Sequence, residues 1–428
     1  EARVIPPTGC FGPEDWRETL AFARRVLVEL GQEPGLAAVA HRVAALLPEP
    51  EAGRRAFWIL LGVLFSESEG HTRIDLEAPD WPEPLARAMP SPEELADPAL
   101  SALMGGQGRP LVREGRWLTS QRLRASELRV AEAVASRSTM PPRRATLPER
   151  ILREPVALNG EQREAVQRAL EAPLALITGR PGTGKTSIVV ALLRALQRQE
   201  EPIPLDRILL AAPTGKAAQR MGESIRKGLA RIKDPDELDR ELQAQGPEPK
   251  TLHRALGLVP ALGHFLQDAA NPLPAEVVIV DEASMIGLEL LEGLLEALAP
   301  GARLVLLGDA DQLPSVDPGA AFRELVESRP SEAVILRESY RMDPRNPKGR
   351  HILLQAERIN EPGRAPELWG PDGIRQGEDP SPGGVRLLEP VGPRSIWMRE
   401  FLEAWMRQRV WGGLDPKAWR DQVLEPLR

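Results

Sequence analysis

Apolar positions cluster into short runs at 174–177, 208–212, 277–280, 303–307 (apolar after its leading Arg303) and 333–336, each closed by Gly, Pro or polar residues. Runs of that length, apolar on both faces, predict buried parallel strands. Between them lie longer stretches without Gly or Pro, such as 187–197, whose composition predicts helices. Strand and helix in alternation predict an α/β domain. The pattern is different ahead of it. Residues 16–30 and 56–65 carry helical segments, 71–76 alternates like a short strand, Ser91 opens a helix, and 111–118 reads as a hairpin turning at Glu114-Gly115. Pro141, Pro142, Pro148 and Pro155 mark a linker, after which Asn159 caps a helix over 160–170. Beyond the last strand, 350–360 is helical, 361–384 is a Pro/Gly-rich loop, 385–388 a short strand, and 395–409 a helix with Trp397, Phe401 and Trp405 on one face.

The first strand runs into Gly179-Arg180-Pro181-Gly182-Thr183-Gly184-Lys185-Thr186, which fits the phosphate-binding pattern G-x-x-x-x-G-K-[ST]. Gly182 and Gly184 let backbone N–H groups turn inward around phosphate oxygens. The helix N-terminus behind them adds partial positive charge. Lys185 is placed for the β- and γ-phosphates, and the Thr186 hydroxyl for Mg²⁺. ATP and Mg²⁺ are therefore the expected ligands.

The other strand ends carry further candidates. Asp281-Glu282 follows the third run: Asp281 is a metal candidate, and Glu282 a group that accepts a proton from, or orients, an attacking water. Gln312, after the fourth run, is a candidate sensor of the γ-phosphate, with Asp309 and Asp311 shaping its turn. Arg341, after the fifth, is a candidate arginine finger, though one arginine among many. Gln162, a dozen residues ahead of the phosphate strand, suits an adenine edge because an amide donates and accepts at once; an exposed helical glutamine fits the position equally well. Thr214 and Lys216, opening a helix after the second run, form a second anion site fit for a nucleic-acid backbone, or an ordinary strand-to-helix turn. The charged stretch 234–245 reads as a surface insertion, and 258–274 as a projecting hairpin. His71 stands alone and reads as structural.

Composition narrows the classes. With 55 basic and 62 acidic residues the net charge is −7, so nucleic-acid contact must be a local groove rather than a basic coat. One cysteine, Cys10, excludes a disulfide framework or cysteine zinc site and suits a reducing cytoplasm. No apolar run is long enough for a membrane span. The chain starts at Glu1, so processing or trimming is expected. No cluster of acids with a lysine stands outside the ATP motifs, so no nuclease site is expected here.

Taken together, GRPGTGKT (179–186), APTGKAAQRM (212–221), TLHRALG (251–257), VVIVDEASMI (277–286), LLGDADQLPSV (306–316) and ESYR (338–341) resemble the ordered motifs of superfamily 1 helicases of the RecD family, over about 155–360. EGHTRIDL (69–76) and GRWLTSQRLRASE (115–127) are similar to the family's amino-terminal domain. The resemblance implies a RecA-like parallel-sheet motor domain over 156–330, with its small hairpin insertion at 258–274. The start of a second RecA-like domain follows over 331–428. A mainly helical docking domain (1–140) and a linker (141–155) precede the motor. It implies a 5′→3′ DNA helicase acting on single strands with a 5′ end and on duplex ends, beside RecB-like and RecC-like subunits. Helix-hairpin-helix glycine motifs of stand-alone RecD-like helicases do not occur, which favours the subunit over that alternative. By the same resemblance Gln162 contacts adenine, Thr214, Lys216, Thr251 and His253 fall in motifs that grip single-stranded DNA, and Arg341 reaches ATP from the second domain. The family's later DNA-binding stretch and terminal arginine motif are not in these 428 residues. A truncated chain, or a non-motor ATP-dependent structural subunit, would look the same.

Overall fold

The computed structural model describes residues 15–47, 49–77, 82–86, 88, 100, 103–104, 109–260, 263–312 and 317–340, with the short strands 375–376 and 386–387. The chain divides into two compact units, 1–339 and 340–428.

The first unit opens with helices α1 (Asp15–Glu29), α2 (Gly35–Ala44) and α3 (Pro50–Ser68), strand β1 (Ile74–Asp75) and the short helix α4 (Glu83–Ala86). A hairpin of β2 (Leu111–Glu114) and β3 (Trp117–Ser120) follows, then helix α5 (Gln121–Ser138). Phe22, Leu27, Phe57, Leu61, Leu111 and Leu118 share one core, and Trp16 meets His41 and Phe57 edge-on. The hairpin turns at Gly115, whose φ of 61° is a conformation that favours glycine. His71 is exposed at the end of α3.

Helix α5 does not stop at this module. Ser120 caps it by accepting from the Leu123 N–H at 3.3 Å. Leu123, Val130 and Val134 enter the core of the following domain. Arg122 pairs with Glu67 on one side and Glu289 on the other, and the Arg137 guanidinium donates to the Ala302 carbonyl at 2.8 Å. The core of the following domain therefore begins ahead of the boundary expected at 140. The expected linker is also packed down: Arg143 N–H donates to Glu171 O, Thr146 and Gln199 exchange two hydrogen bonds, and helix α6 (Glu149–Arg153) buries Ile151.

The motor sheet is built from β4 (Leu174–Gly179), β5 (Ile208–Ala212), β6 (Lys250–Thr251), then β9 (Val277–Val280), β10 (Arg303–Gly308) and β11 (Ala333–Leu336). They lie in the order β11-β4-β10-β9-β5-β6, all parallel. Alternation along each strand fills two cores. Ala175, Ile177, Val277, Ile279, Val305 and Leu307 face helices α7 (Gly160–Glu171), α8 (Lys185–Leu196) and α9 (Gly215–Leu229). Leu174, Leu176, Val278, Val280, Leu304 and Leu306 face α11 (Leu252–Leu256), α12 (Leu288–Glu296), α13 (Ala321–Ser328) and α5. This is a RecA-like α/β motor domain behind a helical amino-terminal region.

Three expectations change. The domain does not end at 330, because β11 pairs with β4 and the chain leaves the sheet only after 336. The charged stretch near 234–245 is not a loose insertion: helix α10 (Glu237–Gln245) places Asp239 against Arg194 of α8 in a bidentate pair at 2.8 and 3.0 Å, both side chains fully buried. The hairpin of β7 (Leu258–Val259) and β8 (His264–Phe265) is rooted rather than projecting, since Phe265 lies on α12 where a Cβ at Gly293 would meet its ring at 2.6 Å. In the second unit, β12 (Arg375–Gln376) and β13 (Arg386–Leu387) pair in parallel. Arg341, Ser91 and the helices expected at 350–360 and 395–409 lie outside the described residues. Among the described residues no helix is long and apolar enough to cross a membrane.

Candidate functional site

Strand β4 delivers the chain to the phosphate loop at Gly179. A Cβ there would meet Thr183 Oγ1 at 2.7 Å and Leu336 Cβ at 2.8 Å, so only glycine lets the loop close against β11. Gly182 and Gly184 have φ of 88° and 87°, the left-handed turns that point successive N–H groups into one concavity. Buried Thr183 braces the loop by donating to Arg180 O at 2.9 Å. The Lys185 ammonium rests on Gly179 O at 2.5 Å and Arg180 O at 3.5 Å. Helix α8 starts at Lys185, directing its N-terminus into the same space.

Two strands away, β9 ends at Asp281. Its carboxylate accepts the Glu282 N–H at 2.9 Å. Burial pushes the Asp281 carboxyl above the usual range, opposed by that hydrogen bond and by the Lys185 charge. Glu282 is the one non-glycine with positive φ (55°) among the described residues, and its carboxylate has no partner there. An L-residue held in that region marks strain kept for a purpose. Between them, β10 ends at buried Asp309, whose carboxyl burial likewise raises and Lys185 and Arg180 oppose. Asp281, Asp309 and Lys185 thus interact across the carboxyl ends of three adjacent strands. Thr186 and Asp281 are hard oxygen donors beside a loop shaped for phosphates, so the set fits Mg²⁺ with a nucleoside triphosphate.

Gln312 sits on this rim. Its side-chain carbonyl accepts from Ser284 Oγ at 3.4 Å, its N–H donates to Asp309 O at 3.1 Å, and its own carbonyl accepts from Arg323 at 3.0 Å. Arg180 faces Asp311 at 3.6 Å. Gln162 lies in the first turn of α7, beside the phosphate loop. It is buried; its Nε2 donates to Thr183 O at 2.9 Å and its Oε1 accepts the Asn159 N–H at 3.1 Å, while Asn159 Oδ1 accepts the Gln162 N–H at 2.8 Å. The Nε2 end fixes α7 to the phosphate loop, and the Oε1 end closes the cap of the same helix.

The other candidates gather at the far edge of the sheet. Thr214 caps α9 by accepting from Ala217 N–H, and Thr251 caps α11 by accepting from Arg254 N–H, each at 3.2 Å. Pairing of Ala212 with Thr251 sets the two caps side by side. Lys216 and His253 are exposed there, and the His253 ring lies 6.5 Å from that of Phe265.

An AAA domain model matches residues 162–318. The chain is 37% identical over 324 residues to the RecBCD enzyme subunit RecD of Mycolicibacterium smegmatis, covering 72% of this chain and 55% of that one. It is 41% identical over 255 residues to the RecBCD enzyme subunit RecD of Mycobacterium tuberculosis, covering 56% and 41%. It is 34% identical over 231 residues to the ATP-dependent RecD2 DNA helicase of Deinococcus radiodurans, covering 54% and 27%. The chain belongs to the RecD family of superfamily 1 helicases. It spans about half or less of the length of these curated relatives.

Sequence reasoning missed several members of this RecD-family site. Thr178 Oγ1 accepts Ala310 N–H at 3.0 Å, and Arg323 donates to Ala310 O at 2.6 Å, so both hold the Asp309–Gln312 turn. The exit from β11 is tied down too: Arg337 N–H donates to Glu161 at 2.7 Å, Glu338 accepts from Asn159 Nδ2 at 2.9 Å, and Ser339 Oγ donates to Pro181 O at 3.3 Å. Asp309 carried a signal, an aspartate directly after a central strand. Thr178 and Arg323 carried none, because their partners lie more than 10 residues away in sequence, and Ser339 carried only its place in ESYR.

Proposed function

We propose that this chain contains the ATP-hydrolysing motor of a 5′→3′ DNA helicase, working in a RecBCD-like complex with RecB-like and RecC-like subunits on duplex ends. The observation that carries the reading is the placement of the phosphate loop, Asp309 and Asp281 directly after the adjacent parallel strands β4, β10 and β9, the loop carrying two left-handed glycines. Backbone N–H groups of 182–186 and Lys185 bind the phosphates of ATP. Thr186 and Asp281 would hold Mg²⁺, which supplies charge neutralisation at the phosphates when bound. Glu282, partner-free and turned by its own backbone, orients the attacking water and takes its proton. Gln312, linked to the Asp309 turn, responds to the γ-phosphate. Arg341 supplies the arginine finger, and residues 340–428 begin the second motor domain.

Thr214, Lys216, Thr251 and His253 form the edge that holds a single DNA strand: two helix N-termini and a lysine suit phosphates whatever the sequence. The partner subunits rest on the names of the RecD relatives, and the polarity on the resemblance of the motifs. A reducing cytoplasm suits the single cysteine. The test is DNA-stimulated ATP hydrolysis with single strands of either polarity tail, for the chain and for Lys185→Ala. Hydrolysis that is equal in the two proteins would refute the reading.

A further inference from the structure

We propose that Arg323 is a positioning residue for hydrolysis, and that helix α13, on which it stands, ties the γ-phosphate sensor to the amino-terminal module. The inference rests on the Asp309–Gln312 turn responding to the γ-phosphate, as proposed above, and adds what governs that turn.

Helix α13 faces the turn with one side. Arg323 is half-buried; its Nε donates to Ala310 O at 2.6 Å and its Nη2 to Gln312 O at 3.0 Å. A planar guanidinium holding two carbonyls of one turn fixes the turn's orientation as well as its distance. Beside it, Phe322 lies on Gly308, the last residue of β10, where a Cβ would meet the ring at 2.8 Å. A shift of α13 is therefore passed to the residue before Asp309 and to both carbonyls together.

The other side is open. Ala321, Leu325 and Ser328, at helical spacing, line a cavity of about 860 Å³ that Val130 and Val134 of α5 line as well. The flanks of α13 are fastened to elements ahead of the motor. Before it, Gly319 N–H donates to Gly70 O at 2.9 Å. Gly319 has a φ of 94°, and a Cβ there would meet Thr72 Cγ2 at 3.3 Å. Thr72 O accepts from Thr119 Oγ1 of β3 at 2.6 Å, which carries the contact into the hairpin. After α13, Arg329 donates at 2.9 Å to Ser138 Oγ, on the last residue of α5. The helix is thus gripped in the middle by the sensor turn and at its flanks by the amino-terminal elements, with space along one side. Any change that nucleotide makes at the turn reaches the module, and by linkage whatever binds the module biases hydrolysis.

The experiment measures DNA-stimulated ATP hydrolysis and amide hydrogen exchange for the 428-residue chain, Arg323→Ala, Arg323→Lys and Ser138→Ala. Arg323→Ala should lower kcat about tenfold or more and leave KM for ATP within about twofold, because the turn acts in hydrolysis rather than in binding. Arg323→Lys, which can reach one carbonyl but not hold both, should recover part of the loss. Ser138→Ala removes only a contact of α5, yet should lower kcat about fivefold. The Gly319 amide reports the link itself. Adding ADP·Mg²⁺ with aluminium fluoride, a mimic of the γ-phosphate, should change its exchange in the unaltered chain and not in Arg323→Ala. A raised KM with unchanged kcat, equal kcat in all four proteins, or a Gly319 amide indifferent to the mimic in the unaltered chain overturns the proposal. Hydrolysis by the unaltered chain no faster than by Lys185→Ala would instead remove the motor reading beneath it.

Discussion

Gln162 donates to the backbone carbonyl of Thr183 at 2.9 Å, tying the first turn of α7 to the middle of the phosphate loop. The bond is buried, and the other end of the same amide closes the capping box with Asn159. One side chain thereby fixes the loop from outside.

Gln162→Ala should loosen the loop rather than remove a base contact. ATP and inorganic tripolyphosphate should weaken in equal proportion, and stability should drop by about 1–3 kcal/mol for the orphaned buried groups. Competition binding with the two ligands, with a urea titration, checks it; weakening of ATP alone would favour an adenine contact instead.

Glu282 separates activity from stability. Glu282→Gln should keep nucleotide binding and lower hydrolysis by about 10²-fold or more, because an amide accepts no proton. Glu282→Gly should lose hydrolysis as well, yet raise unfolding stability by up to about 1 kcal/mol, since glycine adopts φ near 55° without strain. Single-turnover hydrolysis and denaturant midpoints of the two variants give the comparison.

Thr214→Ala with Lys216→Ala should weaken binding to single-stranded DNA and flatten its salt dependence, by roughly 0.7 in the log–log slope for each phosphate the protein no longer neutralises. The measurement is affinity across a salt series; an unchanged slope would return these residues to a purely capping role.

The buried pair of Arg194 and Asp239 should matter when broken by halves. Asp239→Ala leaves a guanidinium uncompensated in the interior and should lower stability by about 3–5 kcal/mol, whereas Arg194→Met with Asp239→Leu should lose much less. Urea unfolding of the two variants tests the asymmetry.

Much of the motor was legible in the residues. Unbroken apolar runs mark β4, β5, β9, β10 and β11 because a strand covered on both faces has no polar position to spare. The phosphate loop was legible because glycine at 182 and 184 answers a backbone need that no other residue meets as readily. What stayed hidden depends on distant partners. Asp239 reads as one acid in a charged stretch until Arg194 is set against it. Gln162 has the right chemistry for a base, and its contact with Thr183, 21 residues on, cannot be read from that chemistry. Alternation near 71–76 and 111–118 disclosed strands, but not that the helix after them packs into the core of the following domain.

That helix decides how the protein can be dissected. Severing the polypeptide near residue 140 would strip Leu123, Val130 and Val134 from the face they cover, leaving a sticky, half-built fragment on either side. A soluble minimal motor has to begin ahead of Ser120, carrying its cap. A protease offered the intact molecule should find α5 closed to it.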